Sequence, residues 1–445
     1  MNYQKLLSKY HDEMLENLKD FCRIPSVYDE STKSKDKPFG KHVDEALKFI
    51  ANLGEKLGFK AEYCDGYAVE LTIGCGEKMI GIFAHADVVP ASGNWDNDPF
   101  EPVVHDGNIY GRGTSDDKGP LIASLYAVKA LYEKGLIKDY RVRIVVGGDE
   151  ERGSSCLQYY FETLKKDAPD YGFTPDSDFP LIFGEKGIVD FYPEIAVKIP
   201  NVKSIKGGVA TNAVCDKVVV EMSRDDDFYE YLKEKGIKFT KEKNVLTFEG
   251  RSCHGSTPED GVNAALICLS ALGDFYHIPP VLAIGEKLKD TSGRAFGCLT
   301  NSKLLGDSTF CVGMINYDGE KLSFTVNFRY GETTNSTEIV KKFDDFFDTK
   351  STLKEPSPIV LFDPKSTLVK TLLKAYRKET HDKTAPLTTG GGTYAKHAPN
   401  TVAFGALFPG RVSTMHEPNE LMPLDDFYLS AVIYARAIDL LGKKL

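Results

Sequence analysis

Several features of other protein classes are missing from this 445-residue sequence. No apolar run approaches the ~18–20 residues of a membrane-spanning helix, and the amino-terminal segment lacks the continuous apolar region of a signal peptide. There is no Lys/Arg-rich run, and 55 basic against 65 acidic residues give a formal net charge of −10. Because an acidic surface repels phosphate groups, we expect neither nucleic-acid nor membrane partners.

Cysteine is present but follows no pattern. The nine cysteines stand singly, and no CxxC motif occurs. An odd, scattered set in a long chain is typical of reduced thiols, so the sequence predicts a cytoplasmic protein. Hydrophobic residues make up 42% of the chain and aromatic residues 11%, which is ordinary globular composition, and the length predicts two or three domains.

The order of the predicted elements indicates an α/β fold. Residues 79–84 and 141–147 are continuous apolar runs, which are typical of strands buried on both faces of a sheet. Apolar residues at helical spacing predict helices over 3–22, 41–57 and 119–134. Helices alternating with such strands predict a mostly parallel twisted sheet flanked by helices.

The sequence pattern changes between about 190 and 360. Shorter strands of alternating character are mixed there with helices, which favours an α+β domain. A helix, a strand and a long final helix follow after about 365. We therefore predict one α/β domain in two segments, 1–188 and 363–445, with an α+β domain inserted at 189–362.

The first candidate for chemistry is His85-Ala86-Asp87, directly after the strand at 79–84. In open α/β sheets, ligands bind at the carboxyl ends of the strands. Residues i and i+2 of an extended segment point the same way, so the Asp87 carboxylate could orient the His85 imidazole as a metal ligand. A solvated strand end is the alternative interpretation of this motif alone.

Two acidic clusters follow. Asp116-Asp117 stands in a Gly-rich turn before a predicted helix, where acids could equally cap the helix. The run Asp149–Glu151 follows the strand at 141–147. Three consecutive acids repel one another unless positive charge lies nearby, although a solvated charged loop is again possible.

These motifs, with the later Asp176, Asp178 and His416, carry more weight together than singly. A two-metal hydrolytic site needs a few His and carboxylate ligands, an acid that bridges the metals, and a free carboxylate that takes a proton from water. Three ligating carboxylates and a hydroxide would balance the charge of two divalent ions. None of these motifs contains a cysteine, so a thiolate zinc site is not the alternative.

Five motifs in this order resemble those of the aminoacylase/carboxypeptidase/dipeptidase family of co-catalytic zinc metallopeptidases, and within it the PepV-type bacterial dipeptidases. The resemblance runs through nearly the whole chain. It rests on His85-Ala-Asp87, Gly-Arg-Gly-Thr-Ser-Asp116-Asp117-Lys-Gly, Asp149-Glu150-Glu151-Arg-Gly-Ser, Pro-Asp176-x-x-Phe-Pro and Met-His416-Glu.

The resemblance implies a metal-ligand set of His85, Asp116, Glu151, Asp176 and His416 for two divalent ions. Asp116 would bridge the ions, His85 and Asp176 would complete one site, and Glu151 and His416 would complete the other. Relatives often carry Glu where Asp176 is placed, so the neighbouring Asp178 stays an alternative.

The remaining catalytic roles are also implied by the resemblance. Asp87 would orient His85, and Glu150 would act as general base and later as acid while a metal-bound hydroxide attacks the peptide carbonyl. The bridging acid of the family commonly precedes a cis peptide bond, which predicts one between Asp116 and Asp117.

The inserted domain resembles the lid of that family. Its counterpart residues are Asn212 as a substrate contact, His254 as the donor that stabilises the oxyanion, and Arg329, whose guanidinium would bind the substrate carboxylate. In the Gly-rich segment 389–394, Gly391 and Gly392 would let the backbone approach the substrate.

The sequence thus predicts a dipeptidase that hydrolyses small unblocked peptides. An aminoacylase, a carboxypeptidase or a diaminopimelate-type deacylase would share the metal site, and a peptide-binding protein without activity would not need Glu150. We expect Zn in the site, with Mn or Co as alternatives. The long insert resembles the PepV-type lid, so we predict a monomer, with a homodimer as the alternative.

Overall fold

The computed structural model describes all 445 residues, and the chain divides into two compact units. The first unit comprises residues 1–183, 360–387 and 392–445. The second comprises 184–359 together with the short segment 388–391, which belongs to it although it lies further along the chain.

The amino-terminal segment of the first unit contains both helices and strands. Its helices are α1 (Tyr3–Leu7), α2 (His11–Cys22), α3 (Lys41–Lys56), α4 (Lys118–Glu133) and α5 (Ser155–Gln158). Its strands are β1 (Lys60–Cys64), β2 (Ala68–Gly74), β3 (Met79–His85), β4 (Val103–His105), β5 (Asn108–Tyr110), β6 (Arg141–Gly147), β7 (Tyr171–Thr174), β8 (Ser177–Asp178) and β9 (Ile182–Glu185).

The second unit is an antiparallel sheet with its own helices. The strands are β10 (Gly187–Ala196), β11 (Val202–Gly207), β12 (Lys217–Met222), β13 (Thr240–Glu242), β14 (Val245–Glu249), β15 (Asn301–Ser302), β16 (Gly306–Asp307), β17 (Thr309–Tyr317), β18 (Lys321–Tyr330) and β19 (Lys350–Leu353). The helices are α6 (Asp226–Glu234), α7 (Ala264–Phe275), α8 (Pro279–Lys287) and α9 (Ser336–Phe347). Eight strands form one sheet in the order β13-β14-β12-β11-β17-β18-β10-β19. Burial alternates along β12, as expected when only one face meets the core.

The carboxyl-terminal part completes the first unit. It contributes the helices α10 (Thr367–Thr380) and α11 (Leu424–Gly442). Its strands are β20 (Val360–Leu361), β22 (Thr401–Ala403), β23 (Ala406–Leu407) and β24 (Leu421–Pro423). The short strand β21 (Leu387–Thr389) begins at the last residue of the first-unit segment 360–387 and continues into the second-unit segment 388–391.

The main sheet of the first unit has the order β1-β2-β6-β3-β7-β22-β9-β20. The four central strands, β6, β3, β7 and β22, run parallel to one another. The pairings β1–β2, β2–β6 and β22–β9 are antiparallel. Every residue of β3 is buried, as the apolar run at 79–84 predicts for a strand covered on both faces. The predicted α/β class is therefore confirmed; the sheet is mixed, with its parallel pairings at the centre.

One predicted helix is interrupted. The segment 3–22 forms α1 and α2 with a 3-10 turn, Ser8–Tyr10, between them. The Ser8 hydroxyl donates to the Lys5 carbonyl oxygen at 3.2 Å, a local bond of the kind that competes with regular helix. None of the helices is both long and apolar enough to span a bilayer.

Candidate metal centre

Neighbouring parallel strands bring the predicted polar motifs to one edge of the first unit's sheet. His85 is the last residue of β3, and the run Asp149–Glu151 begins two residues after β6 ends. Asp176 comes two residues after β7. Because β6, β3 and β7 are adjacent and parallel, their carboxyl ends meet at the same edge. Asp116 joins them from the turn before α4.

The five predicted ligands form two groups that share Asp116. His85 Nε2 lies 2.9 Å from Asp116 Oδ1 and 3.6 Å from Asp176 Oδ2. His416 Nε2 lies 2.8 Å from Asp116 Oδ2 and 3.2 Å from Glu151 Oε1. Within each group the candidate ligand atoms lie within 4.8 Å of one another. Asp116 therefore presents one carboxylate oxygen to each group, which is the geometry of a bridging ligand.

Asp178 belongs to neither of these groups. It lies in β8, two residues beyond Asp176, and is partly buried. The geometry therefore favours Asp176 as the ligand over the alternative that the sequence left open.

Negative charge is concentrated in this cluster. Burial raises the pKa of Glu150 well above its usual range, and the nearby charge of Asp176 adds to that effect. Burial likewise raises the pKa of Glu151 to about 7. Burial alone would raise the pKa of Asp116 too, but hydrogen bonds from the two histidines outweigh it and hold that pKa far below its usual range. Carboxylates packed this closely need positive charge, and hard or borderline divalent cations with oxygen and imidazole ligands fit that need.

The Asp87 carboxylate holds the segment that carries Glu150 and Glu151. Its two oxygens accept the backbone N–H groups of Glu150 at 3.1 Å and Glu151 at 3.2 Å. The partner nearest to His85 Nδ1 is the Asp87 carbonyl oxygen at 2.9 Å, whereas the carboxylate is 3.5 Å away. Asp87 thus connects the β3 and β6 ends of the centre, a contact that the spacing of the HxD motif did not predict.

Asp117 is a further residue of the centre to which the sequence assigned no role. It is fully buried, and its carboxylate accepts the backbone N–H of His85 at 3.2 Å. Its only sequence signal was its place as the second acid of the Asp116-Asp117 pair. The peptide bond between these two residues is cis, as the family resemblance predicted.

A second cluster of predicted residues lies in the second unit, around Arg329 of β18. Arg329 is 2% exposed, and its Nε donates to Asn327 Oδ1 at 2.8 Å while its Nη1 donates to the Gly390 carbonyl oxygen at 2.6 Å. Asn327 is held in turn by Asp190, whose carboxylate accepts from Asn327 Nδ2 at 2.7 Å. Burial lowers the pKa of Arg329 to about 10, so the guanidinium stays positive at neutral pH.

Asn212 and His254 lie on neighbouring backbone segments of the same unit. The N–H of Gly255 donates to the Asn212 carbonyl oxygen at 2.7 Å. His254 Nδ1 lies 2.7 Å from Ser256 Oγ. A side chain at Gly390 would place its Cβ 2.9 Å from the Ser256 Cβ, so the lack of a side chain allows this close approach.

The two predicted glycines fall on either side of the unit boundary. Gly391 belongs to the short second-unit segment and Gly392 to the first unit. The structure thus assembles the metal-centre residues in one unit and most of the predicted lid residues in the other.

Known proteins resemble this chain in sequence and in fold. Residues 81–440 match the family model of peptidase family M20/M25/M40. The chain is 33% identical to YtjP of Bacillus subtilis strain 168, a protein provisionally named a dipeptidase, over 474 aligned positions that cover 100% of both chains. Human carnosine dipeptidase 1 shares the fold with a TM-score of 0.61 at 15% identity, over 99% of this chain and 98% of that one. The YXEP protein of Bacillus subtilis, described as a dinuclear metal-binding M20 peptidase, has a TM-score of 0.57 at 10% identity, over 98% and 99% of the two chains.

The chain therefore belongs to peptidase family M20/M25/M40. It is a hydrolase of the metallopeptidase class, and its candidate metal groups have the His and carboxylate composition that such a centre requires.

Proposed function

We propose that this protein is a metal-dependent dipeptidase that hydrolyses unblocked dipeptides. The observation that carries the proposal is the pair of ligand groups sharing Asp116, with Glu150 beside them and outside both groups. A protein that only binds metal has no use for such a spare carboxylate. The full-length similarity to a relative provisionally named a dipeptidase supports the same substrate class.

The proposed ligands are His85 and Asp176 for one divalent ion, Glu151 and His416 for the other, and Asp116 for both. Bound there, the ions would supply Lewis acidity at the peptide carbonyl and make water more acidic. We expect Zn, with Mn or Co as alternatives, because this donor set accepts each of them.

Glu150 is the proposed general base. In this role its carboxylate would accept a proton from the attacking water and return that proton to the leaving amine. Asp87 supports this role through the backbone N–H groups of Glu150 and Glu151.

The second-unit residues are proposed to bind the substrate. Arg329 is buried, charged and held by Asn327, so it is preorganised to pair with the carboxylate of a short peptide. His254 is the proposed donor to the oxyanion and Asn212 a further substrate contact. Gly391 and Gly392 are proposed to let the backbone approach the substrate.

Hydrolysis of three matched substrates tests the proposal. An unblocked dipeptide, its N-acetylated form and the corresponding tripeptide are each assayed before chelation, after chelation, and after refilling with Zn or Mn. We expect cleavage of the dipeptide that is lost with the chelator and restored by one metal.

The other outcomes discriminate between the alternatives. Cleavage of the acetylated substrate alone would make the protein an aminoacylase with the same metal centre. Absence of metal-dependent cleavage of all three substrates would refute the dipeptidase proposal. A cytoplasmic location and a monomeric state stay predictions, which fractionation of cells and sedimentation respectively would check.

A further inference from the structure

The Glu420 carboxylate accepts hydrogen bonds from five donors. Its Oε1 accepts from the Ser115 N–H at 2.9 Å, the Ser115 hydroxyl at 2.9 Å and the Asp116 N–H at 3.2 Å. Its Oε2 accepts from Arg112 Nη1 at 2.7 Å and the Gly113 N–H at 3.1 Å. With 1% exposure, the carboxylate has its acceptor capacity filled by the loop that carries the proposed bridging ligand.

Arg112 extends this contact to the other ligand segment. It is also 1% exposed, and its Nη2 donates to the carbonyl oxygens of His416 at 3.3 Å and Pro90 at 3.4 Å. The ring of Trp95 lies 5.1 Å from the guanidinium and covers it. One buried ion pair therefore joins the segments that contain Asp116 and His416.

The segment 416–420 needs such support. His416 has a φ of 66° and Asn419 a φ of 59°, both in the left-handed region. Left-handed backbone at a residue other than glycine is strained, and it persists only where surrounding contacts impose it. The bond from Arg112 to the His416 carbonyl oxygen is one of these contacts.

We propose that Glu420 and Arg112 are positioning residues that preorganise the metal centre, an inference that rests on the proposed metal-binding function. Glu420 fixes the backbone of Asp116, and Arg112 fixes the backbone of His416. The spacing between the Asp116 carboxylate and the His416 imidazole is thereby set before a metal binds. Because Asp116 serves both ligand groups, Glu420 acts on both sites, whereas the Arg112–His416 bond acts on one.

Cobalt binding by three variants tests this inference without depending on activity. Co²⁺ is titrated into metal-free wild type, Glu420→Gln, Arg112→Lys and the control Asp439→Asn, and its visible absorption is followed. Asp439 is a buried carboxylate of α11, 5% exposed, whose hydrogen-bond partners are the Tyr3 hydroxyl at 2.6 Å and Lys443, both outside the ligand segments. The melting temperature of each metal-free variant is measured alongside.

We expect Glu420→Gln to lower the affinity for both Co²⁺ ions by about 10–100-fold, which is the usual loss when a group that orients metal ligands is changed. Arg112→Lys keeps the positive charge but loses the second guanidinium nitrogen, which donates to the His416 carbonyl oxygen. It should therefore lower the affinity for one Co²⁺ ion and leave the affinity for the other unchanged. Asp439→Asn should lower the melting temperature while both cobalt affinities and the spectrum stay as in wild type.

Two results would overturn the inference. One is wild-type cobalt affinity and spectrum in Glu420→Gln, with a loss of melting temperature like that of the control, because the ion pair would then be merely structural. The other is failure of wild type to bind two equivalents, which would also remove the proposed metal centre. Wild type that binds two equivalents without hydrolysing peptides would refute the dipeptidase proposal and leave this inference standing.

If Glu420→Gln does not fold, because it leaves a buried guanidinium unpaired, a milder variant is needed. Ser115→Ala is then tested in place of Glu420→Gln, because it removes only the hydrogen bond from the Ser115 hydroxyl to Glu420. We expect a several-fold loss of cobalt affinity with an unchanged melting temperature; unchanged affinity together with a normal Arg112→Lys titration would refute the inference.

Discussion

The functional clusters of the two units differ in the charge of their side chains. In the first unit, carboxylates and imidazoles crowd together at the ends of parallel strands, and Asp116 alone contacts two histidines. In the second, a single buried guanidinium, Arg329, is held by neutral partners, an amide and a backbone carbonyl. The first arrangement is complementary to cations and the second to an anion.

The supporting contacts differ in the same way. The Asp87 and Glu420 carboxylates hold ligand segments through backbone N–H groups, so they fix the main chain and leave the ligand side chains free to bind. Arg329 is held instead by side chains: it donates to Asn327, which in turn donates to the Asp190 carboxylate. We therefore expect changes in the first unit to alter metal binding and catalysis, and changes in the second to alter substrate affinity.

The largest effect should come from the residue shared by both ligand groups. Asp116→Ala removes one ligand from each group, so we expect loss of both metal ions and of all measurable hydrolysis. Metal content by mass spectrometry after gel filtration is the measurement. The matched control is Asp178→Ala, which should retain two metals; loss of metal from the control would reassign the ligand from Asp176 to Asp178.

Glu150→Gln should separate catalysis from metal binding within the first unit. Loss of a general base costs about 10²–10⁴-fold in kcat, and because Glu150 lies outside both ligand groups, metal content should stay at two. Steady-state kinetics with parallel metal analysis checks this. A variant that loses metal would show that the roles of Glu150 and Glu151 are exchanged.

Arg329→Gln tests the claim that the second unit acts on the substrate carboxylate. Truncating a buried charge pair costs about 2–5 kcal/mol, which corresponds to a rise in KM of roughly 30- to 5,000-fold, with little change in metal content. Kinetics on a free dipeptide and on its carboxyl-terminal amide provide the comparison. An equal loss on both substrates would contradict carboxylate binding by this residue.

Asn327→Leu should give the smallest effect in this series. It removes the acceptor for Arg329 Nε, a bond to a charged group worth about 1.5 kcal/mol, so KM for the free dipeptide should rise about tenfold. The amide substrate serves as the internal control. An unchanged KM would show that the Gly390 carbonyl oxygen is sufficient to hold the guanidinium.

Sequence alone was informative where a residue's chemistry and its place after a strand coincide. The buried apolar run at 79–84 predicts β3, and the end of such a strand is a ligand-binding position, so His85 could be identified as a candidate ligand. Local periodicity was less reliable at the amino terminus, where the Ser8 hydroxyl bond and a 3-10 turn divide one predicted helix into two.

Contacts between residues far apart in the chain could not be predicted from the sequence pattern. Glu420 is separated from Ser115 by 305 positions and from Arg112 by 308, and no spacing rule relates such residues. Asp87 could be paired with its neighbour His85 from sequence, but its bonds to the N–H groups of Glu150 and Glu151 bridge 63 and 64 positions.

The sequence by itself determined the α/β class, the order of the acidic and histidine motifs, and the family that these motifs resemble. Tertiary structure alone decided that Asp116 faces two histidines at once and that Asp176 joins a candidate ligand group while Asp178 does not. It also decided that one buried ion pair joins the segments of Asp116 and His416. The physical reason is that residue type and strand alternation are local properties. The distance between two side chains depends instead on how the sheet, the turns and their buried hydrogen bonds pack together.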